Sequence, residues 1–321
     1  MDERGNTTFG INTFYLLGFP TSQPIQIVLF FIFLFAYILT VTENILVIII
    51  IWTSANLHKP MYFFLGNLSF LEMWYVTVTI PKLLAIFVTE SRQISVTACM
   101  SQLYFFISLV CTECMLLAVM AFDRYVAICT PLHYVTIMDW NICLVLALCS
   151  WFTGLLISFI KVYYISRLTF CNSGLINHFY CDISPILNLA CTDMRVAELV
   201  DFVLALFILL VPLMLTFISY CCILTTVFGI PTSSGRQKAF STCTSHLAVV
   251  IIFYFATLFM YARLSKAQSF NYNKLISVVY TVITPLLNPV IYCLRNKDVK
   301  EVIWKLILKP NPTLPLRVSM A

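Results

Sequence analysis

Six stretches of the chain, Gly5–Thr42, Gln93–Thr112, Trp140–Ile160, Phe202–Gly235, Ala239–Ala262 and Leu275–Leu294, contain no Asp, Glu, Lys or Arg. A hydrocarbon core about 30 Å thick is crossed by about 20 helical residues, so these runs are long enough to span a bilayer. A seventh stretch, Met61–Ile86, reaches that length once Glu72 and Lys82 are admitted. Composition agrees, with 61% of the 321 residues hydrophobic and 10% charged. That is too little charge to clothe a soluble globule and too much apolar surface for a disordered chain. Runs such as Ile45–Ile51 lack the two-residue alternation of a barrel strand, which favours helices. The expected fold is therefore an all-α membrane protein, a seven-transmembrane helix bundle with spans near 25–51, 61–86, 99–126, 141–163, 197–228, 239–262 and 273–294.

An odd number of spans puts the two ends on opposite sides of the membrane. After the last span the chain carries Arg295, Lys297, Lys300, Lys305, Lys309 and Arg317, whereas the first 24 residues hold only Arg4. The positive-inside bias thus places the C-terminus in the cytoplasm and the N-terminus outside, in a multi-pass plasma-membrane protein. Two features agree: Asn6-Thr7-Thr8 is a glycosylation sequon in the N-terminal tail, and Cys171, Cys181 and Cys191 crowd a loop that becomes extracellular. A second sequon at Asn67 falls within a span and should stay unmodified. No cleavable signal peptide is expected, because the first apolar run starts late and is too long.

The chain divides into an extracellular tail (1–24), a membrane domain (25–294) and a cytoplasmic tail (295–321). In that last tail Val299, Val302, Ile303, Leu306 and Ile307 are spaced like a short amphipathic helix on the membrane surface. The net charge of +5 is concentrated in this tail, so membrane lipid is an expected partner and nucleic acid is not.

Ionisable residues inside spans are costly, and Glu43, Glu72, Lys82, Glu113, Asp123 and Arg124 stand out. Lys82 and the Asp123-Arg124 pair lie near helix ends. Glu72 and Glu113 sit mid-span, where two acids are either protonated and hydrogen-bonded or share a cation such as sodium. No other cofactor is expected.

Four motifs carry a resemblance. Met120-Ala121-Phe122-Asp123-Arg124-Tyr125-Val126-Ala127-Ile128-Cys129 ends the third span and Asn288-Pro289-Val290-Ile291-Tyr292 ends the seventh. Together they resemble the rhodopsin-like G-protein-coupled receptors. Leu57-His58-Lys59-Pro60-Met61-Tyr62-Phe63-Phe64-Leu65 opens the second span, Ser219-Tyr220 closes the fifth, and Lys238-Ala239-Phe240-Ser241-Thr242-Cys243-Thr244-Ser245-His246-Leu247 opens the sixth. With these, residues from about Phe9 to Lys305 are similar to vertebrate odorant receptors of the tetrapod type.

The resemblance implies a receptor, not an enzyme. A small, largely apolar volatile odorant would bind in the outer half of the bundle, and a stimulatory olfactory-type heterotrimeric G protein would bind inside and raise cyclic AMP. On the third span Phe106, Ile107, Val110 and Cys111 share one face, a spacing that also fits bundle core. The resemblance sets this face against Leu204, Ala205 and Ile208, against Tyr254, Thr257, Leu258 and Tyr261, and against Val278 and Thr281 as the ligand-lining set. That set holds no acid or base, which disfavours a charged amine and leaves Thr257, Tyr261 and Thr281 as polar handles.

Coupling is assigned by the same resemblance to Asp123, Arg124, Tyr125, Tyr220, Asn288, Pro289 and Tyr292. Residues 229–260 contain no Asp or Glu, so Arg124 is expected to rest on Asp123, with Tyr220 and Tyr292 as partners once helices move. The resemblance also implies a Cys99–Cys181 disulfide, leaving Cys171 and Cys191 in the same loop to form a second. A metal reading of the His178 and Cys181 spacing is the weaker alternative.

Two departures are evident. Glu72 stands where the family carries Asp, one methylene shorter, and Glu43 precedes Asn44 where Gly is common. Rival functions are a rhodopsin-like receptor for a non-odorant metabolite, a transporter and an intramembrane enzyme. With 8 glycines and no internal repeat the chain does not fit a transporter, and no His-Glu-x-x-His or Gly-x-Ser-x-Gly motif supports an enzyme.

Overall fold

The structure is a computed structural model that describes residues 11–89, 91–171, 173–262, 270–295 and 299–302. Seven long helices follow one another: α1 (Gln23–Thr53), α2 (Pro60–Thr89), α3 (Val96–Cys129), α4 (Trp140–Ser166), α5 (Arg195–Phe228), α6 (Ser233–Ala262) and α7. The last comprises Phe270–Val278, a π-helical turn Val279–Ile283 and Thr284–Arg295. Among the described residues six helices are long and apolar enough to cross a membrane, and α6 contributes the shorter apolar stretch His246–Leu258. Most run a few residues beyond the spans expected from hydropathy.

Local chemistry sets several ends. Ser95 caps α3 by accepting from the Ala98 amide at 3.2 Å, and Asp139 caps α4 by accepting from Ile142 at 2.7 Å. Pro60 opens α2, where a missing amide hydrogen costs nothing. In α7 Pro285 and Pro289 bring no amide donor, and just upstream the π-turn pairs the Val279 carbonyl with the Thr284 amide and with Thr284 Oγ1 at 3.2 Å.

The bundle is arranged around α3. Of its most apolar stretch 83% is buried, against 11% for α1, so α3 is the central post and α1 is peripheral. Side chains such as Phe35, at 68% exposed, and Phe255, at 72%, face outward, giving the apolar exterior of a multi-pass membrane protein. At Gly154 of α4, a Cβ would lie 2.2 Å from Thr112 Oγ1 and 2.6 Å from the Ser108 carbonyl, so α3 and α4 pack backbone to backbone there. Ser158 of α4 adds a 2.6 Å hydrogen bond to the Tyr104 carbonyl.

One end of the bundle carries a small sheet that the all-α reading did not anticipate. Strand β1 (Thr13–Leu16) lies between β2 (Gln93–Ser95), antiparallel, and β3 (Leu175–Ile176), parallel. Strands of two to four residues are too short to leave a periodic signature, and their partners are distant in sequence. Both disulfides lie at this strand-capped end: Cys99–Cys181 ties the loop after α4 to α3, and Cys171–Cys191 closes that loop on itself. Of the expected tail helix, 299–302 is helical, with Val299 buried; Ile303, Leu306 and Ile307 lie outside the described residues, as does Asn6.

Candidate functional site

Phe106, Ile107, Val110 and Cys111 are all buried on α3, in the half of the bundle nearer the strands. Ala205 and Ile208 of α5, Tyr254 and Thr257 of α6 and Thr281 of α7 are buried too, and Leu204 is half-buried. Two members of the expected set do not join them. Leu258 is 48% exposed on the outer surface, because it lies about 100° further round α6 than the buried Thr257. Val278 lines a groove between α1 and α7 that opens on the bundle's exterior, together with residues such as Ile32 and Phe35. The Tyr261 side chain lies outside the described residues.

The polar handles are narrower than their side chains suggest. Thr257 Oγ1 donates to the Phe253 carbonyl at 2.8 Å and Thr281 Oγ1 to the Ser277 carbonyl at 2.7 Å. Each hydroxyl proton is thus engaged by its own helix, leaving lone pairs that can only accept.

An aromatic wall that sequence reasoning missed surrounds Phe106. Its ring centroid is 4.7 Å from Tyr180, 5.2 Å from Tyr75 and 6.2 Å from Tyr280, and Tyr280 in turn meets Phe253 at 6.2 Å. A signal existed for two of these. Tyr75 lies three residues after Glu72 on the same face of α2, and Tyr180 adjoins the cysteine tethered to α3.

The expected set itself holds no acid or base, but a charged pair outside it lies near Cys111. Lys161 of α4 and Asp201 of α5 form an ion pair at 2.9 Å, with the lysine side chain fully buried. Both lie within electrostatic reach of Cys111. Lys274 of α7, likewise overlooked, is buried and donates to the Gly18 carbonyl at 2.8 Å.

Deeper in the bundle Glu72 and Glu113 are both buried and close enough to feel each other's charge. Asn288 Nδ2 donates to Glu72 Oε1. Glu113 Oε1, Asn288 Oδ1, Asn44 Oδ1 and Thr40 Oγ1 are buried with no hydrogen-bond partner among the described residues. Glu72, Glu113 and Asn288 are the oxygen-bearing groups here that a hard monovalent cation could share. Among the described residues no group of three or more His, Cys, Asp or Glu is placed to hold a metal ion. Glu43 is half-buried on α1, and its Oε2 is among the unpartnered buried atoms.

At the end away from the strands, Arg124 holds Asp123 with Nη2 at 2.5 Å and Nε at 3.1 Å. Tyr134, in a short helix between α3 and α4 (Tyr134–Ile137), donates to the other carboxylate oxygen at 2.8 Å. Burial, and then the Asp123 charge, push the Tyr134 phenol well above its ordinary range, so it remains a donor. Tyr220 of α5 is hydrogen-bonded to His246 Nδ1 of α6 at 2.6 Å and packs in a cluster with Ala121, Ile223 and Cys243, which Tyr125 flanks. Pro289 is buried beside Asn288; the Tyr292 side chain lies outside the described residues.

The metal reading of the long loop fails, because Cys181 is disulfide-bonded and His178 Nε2 is hydrogen-bonded to Ser277 Oγ at 3.1 Å.

Residues 33–310 match the family model for olfactory receptors. The chain belongs to the olfactory receptor family. It is 60% identical to human olfactory receptor 6B1 over 296 residues, covering 92% of this chain and 94% of that one. It is 58% identical to rat olfactory receptor 226, covering 93% of each, and 55% identical to mouse olfactory receptor 6B9, covering 92% and 94%. An olfactory receptor is a G-protein-coupled receptor and not an enzyme.

Proposed function

We propose that this olfactory receptor binds a small, largely apolar volatile molecule against Phe106, Ile107, Val110 and Cys111, and that binding promotes nucleotide exchange on a stimulatory olfactory-type G protein, raising cyclic AMP. The strand-capped end faces the cell exterior in this reading, and the Arg124 end faces the cytoplasm. The observations that support the ligand chemistry are the buried aromatic face around Phe106 and, toward Cys111, the Lys161–Asp201 pair. An apolar wall with one charge-balanced dipole favours a neutral ligand bearing a single oxygen that accepts from Lys161 or donates to Asp201. The threonine hydroxyls, engaged as donors, add acceptors only.

In the resting arrangement Arg124 is satisfied by Asp123, and α6 offers it no acid among residues 229–260. A ligand that binds better when α6 moves outward shifts the population toward a state with Arg124 released for the G protein. Sodium between Glu72 and Glu113 would favour the resting state. Screening a panel of volatiles on cells expressing the receptor, with cyclic AMP as readout, tests the proposal. A response lost in Arg124→Ala at equal surface expression supports it; a response that bypasses cyclic AMP contradicts the coupling.

A further inference from the structure

The N-terminal segment is built into the bundle to an unusual depth. Chain ends fray unless tied down, yet Phe14 and Leu16 are fully buried and β1 is the central strand of its sheet. Beyond the strand, Gly18 adopts φ +58°, a turn that only glycine takes without strain, and its amide donates to the His178 carbonyl at 3.1 Å. That turn inserts Phe19 between Phe33 of α1 and Phe179 of the long loop, at 5.8 and 5.4 Å. The stack continues from Phe179 to His178 at 4.8 Å. The His178 ring then meets Tyr180 edge-on at 4.4 Å, and Tyr180 lies 4.7 Å from Phe106 on the ligand face.

Lys274 holds this stack to α7. Its ammonium is buried and donates to the Gly18 carbonyl, and among the described residues no carboxylate forms an ion pair with it. Burying an ammonium against a backbone carbonyl, with no carboxylate among the described residues to offset its charge, costs solvation that an apolar side chain would not. One residue turn further on, Ser277 holds His178 from the same helix.

We infer that the N-terminal segment, latched by Lys274 to α7, forms the roof of the ligand site, and that this latch determines how readily a ligand enters and how long a ligand fits. Gly18 and Lys274 are positioning residues, acting through His178 and Tyr180 on Phe106. The inference rests on the ligand reading proposed above only for its statement about ligand length; the roof itself is testable without a ligand.

The test uses the full-length receptor in membranes and its own Cys111. A membrane-impermeant thiol reagent, the quaternary 2-(trimethylammonium)ethyl methanethiosulfonate, is applied from the strand-capped side, and modification of Cys111 is followed by peptide-resolved mass spectrometry. Lys274→Met and Phe19→Ala should label severalfold faster than wild type, and the milder Ser277→Ala should fall between. Surface expression and an intact Cys99–Cys181 disulfide serve as the folding criterion, and Ser277→Ala decides the matter if the stronger variants fail it. Equal labelling rates in folded variants would overturn the roof. A second arm measures responses to straight-chain alkanols from butanol to dodecanol, in which Lys274→Met should extend the longest active member. Faster labelling that no alkanol or screened agonist slows would leave the roof standing and contradict the ligand reading instead.

Discussion

Lys161 of α4 and Asp201 of α5 form an ion pair at 2.9 Å in which the lysine side chain is fully buried and the aspartate is 9% exposed. Each charge is tolerated at this depth because the other is present, so single and double replacements should behave differently. Asp201→Asn leaves an uncompensated ammonium and should destabilise the receptor by about 3 to 5 kcal/mol. Lys161→Met combined with Asp201→Leu should restore most of that loss while removing the polar contact for ligand. Thermal denaturation of the purified receptor, beside agonist potency of the double variant, separates the structural from the recognition role. A double variant with wild-type potency would show that the pair does not touch ligand.

At the opposite end, Tyr134 stabilises the same carboxylate that holds Arg124. Tyr134→Phe removes one donor worth about 1.5 to 3 kcal/mol to a charged acceptor. Part of that stabilisation should appear as raised basal cyclic AMP, since the Asp123–Arg124 resting pair is weakened. Arg124→Ala should abolish signalling without lowering agonist binding. Radioligand or fluorescence binding measured beside cyclic AMP distinguishes the two effects.

Gly154 should tolerate no side chain. The Cβ of Gly154→Ala would meet Thr112 Oγ1 and two backbone atoms of α3, the farthest of the three at 3.0 Å, so α4 must shift. Overpacking of this kind costs about 1 to 3 kcal/mol. Surface expression should fall, and a second change, Thr112→Ala, should recover only part, because the Ser108 carbonyl still lies 2.6 Å away.

Sodium is the third ligand to test. With Glu72 and Glu113 buried together and several oxygens unpartnered, raising sodium at constant ionic strength should weaken agonist potency. Glu113→Gln should blunt that dependence. Potency unaffected by sodium in the wild type would favour two protonated acids, with Glu72 hydrogen-bonded to Asn288.

Six of the seven helices were legible because uncharged runs of span length have one physical solution in a bilayer, the second once Glu72 and Lys82 are admitted, and Asp123 with Arg124 because the motif ends a span. What escaped has equally physical reasons. Lys161 and Asp201 fall inside the expected spans 141–163 and 197–228 but beside the ends of uncharged runs, after Ile160 and before Phe202, where a charged side chain reads as reaching the headgroups although the two are buried partners. Lys274 immediately precedes Leu275 and was hidden in the same way. Leu258 was misplaced because family position does not fix rotation about α6 to within one residue, and one residue decides between interior and lipid. The strand β1 and the meeting of Phe106 with Tyr280 depend on contacts between distant segments, which no local pattern encodes, although Tyr75 and Tyr180 each had a signal beside them.

The ligand site is tested most directly by filling it. Val110 is buried on α3 between Phe106 and Cys111, and Val110→Trp would occupy the space against the aromatic wall while leaving Arg124 and its partners untouched. In lipid nanodiscs with purified stimulatory olfactory G protein, an active volatile should accelerate nucleotide exchange on the wild-type receptor. The expected result is that Val110→Trp removes this acceleration and retains basal exchange. Unchanged agonist potency in a folded Val110→Trp receptor would contradict the placement of the ligand on the Phe106 face.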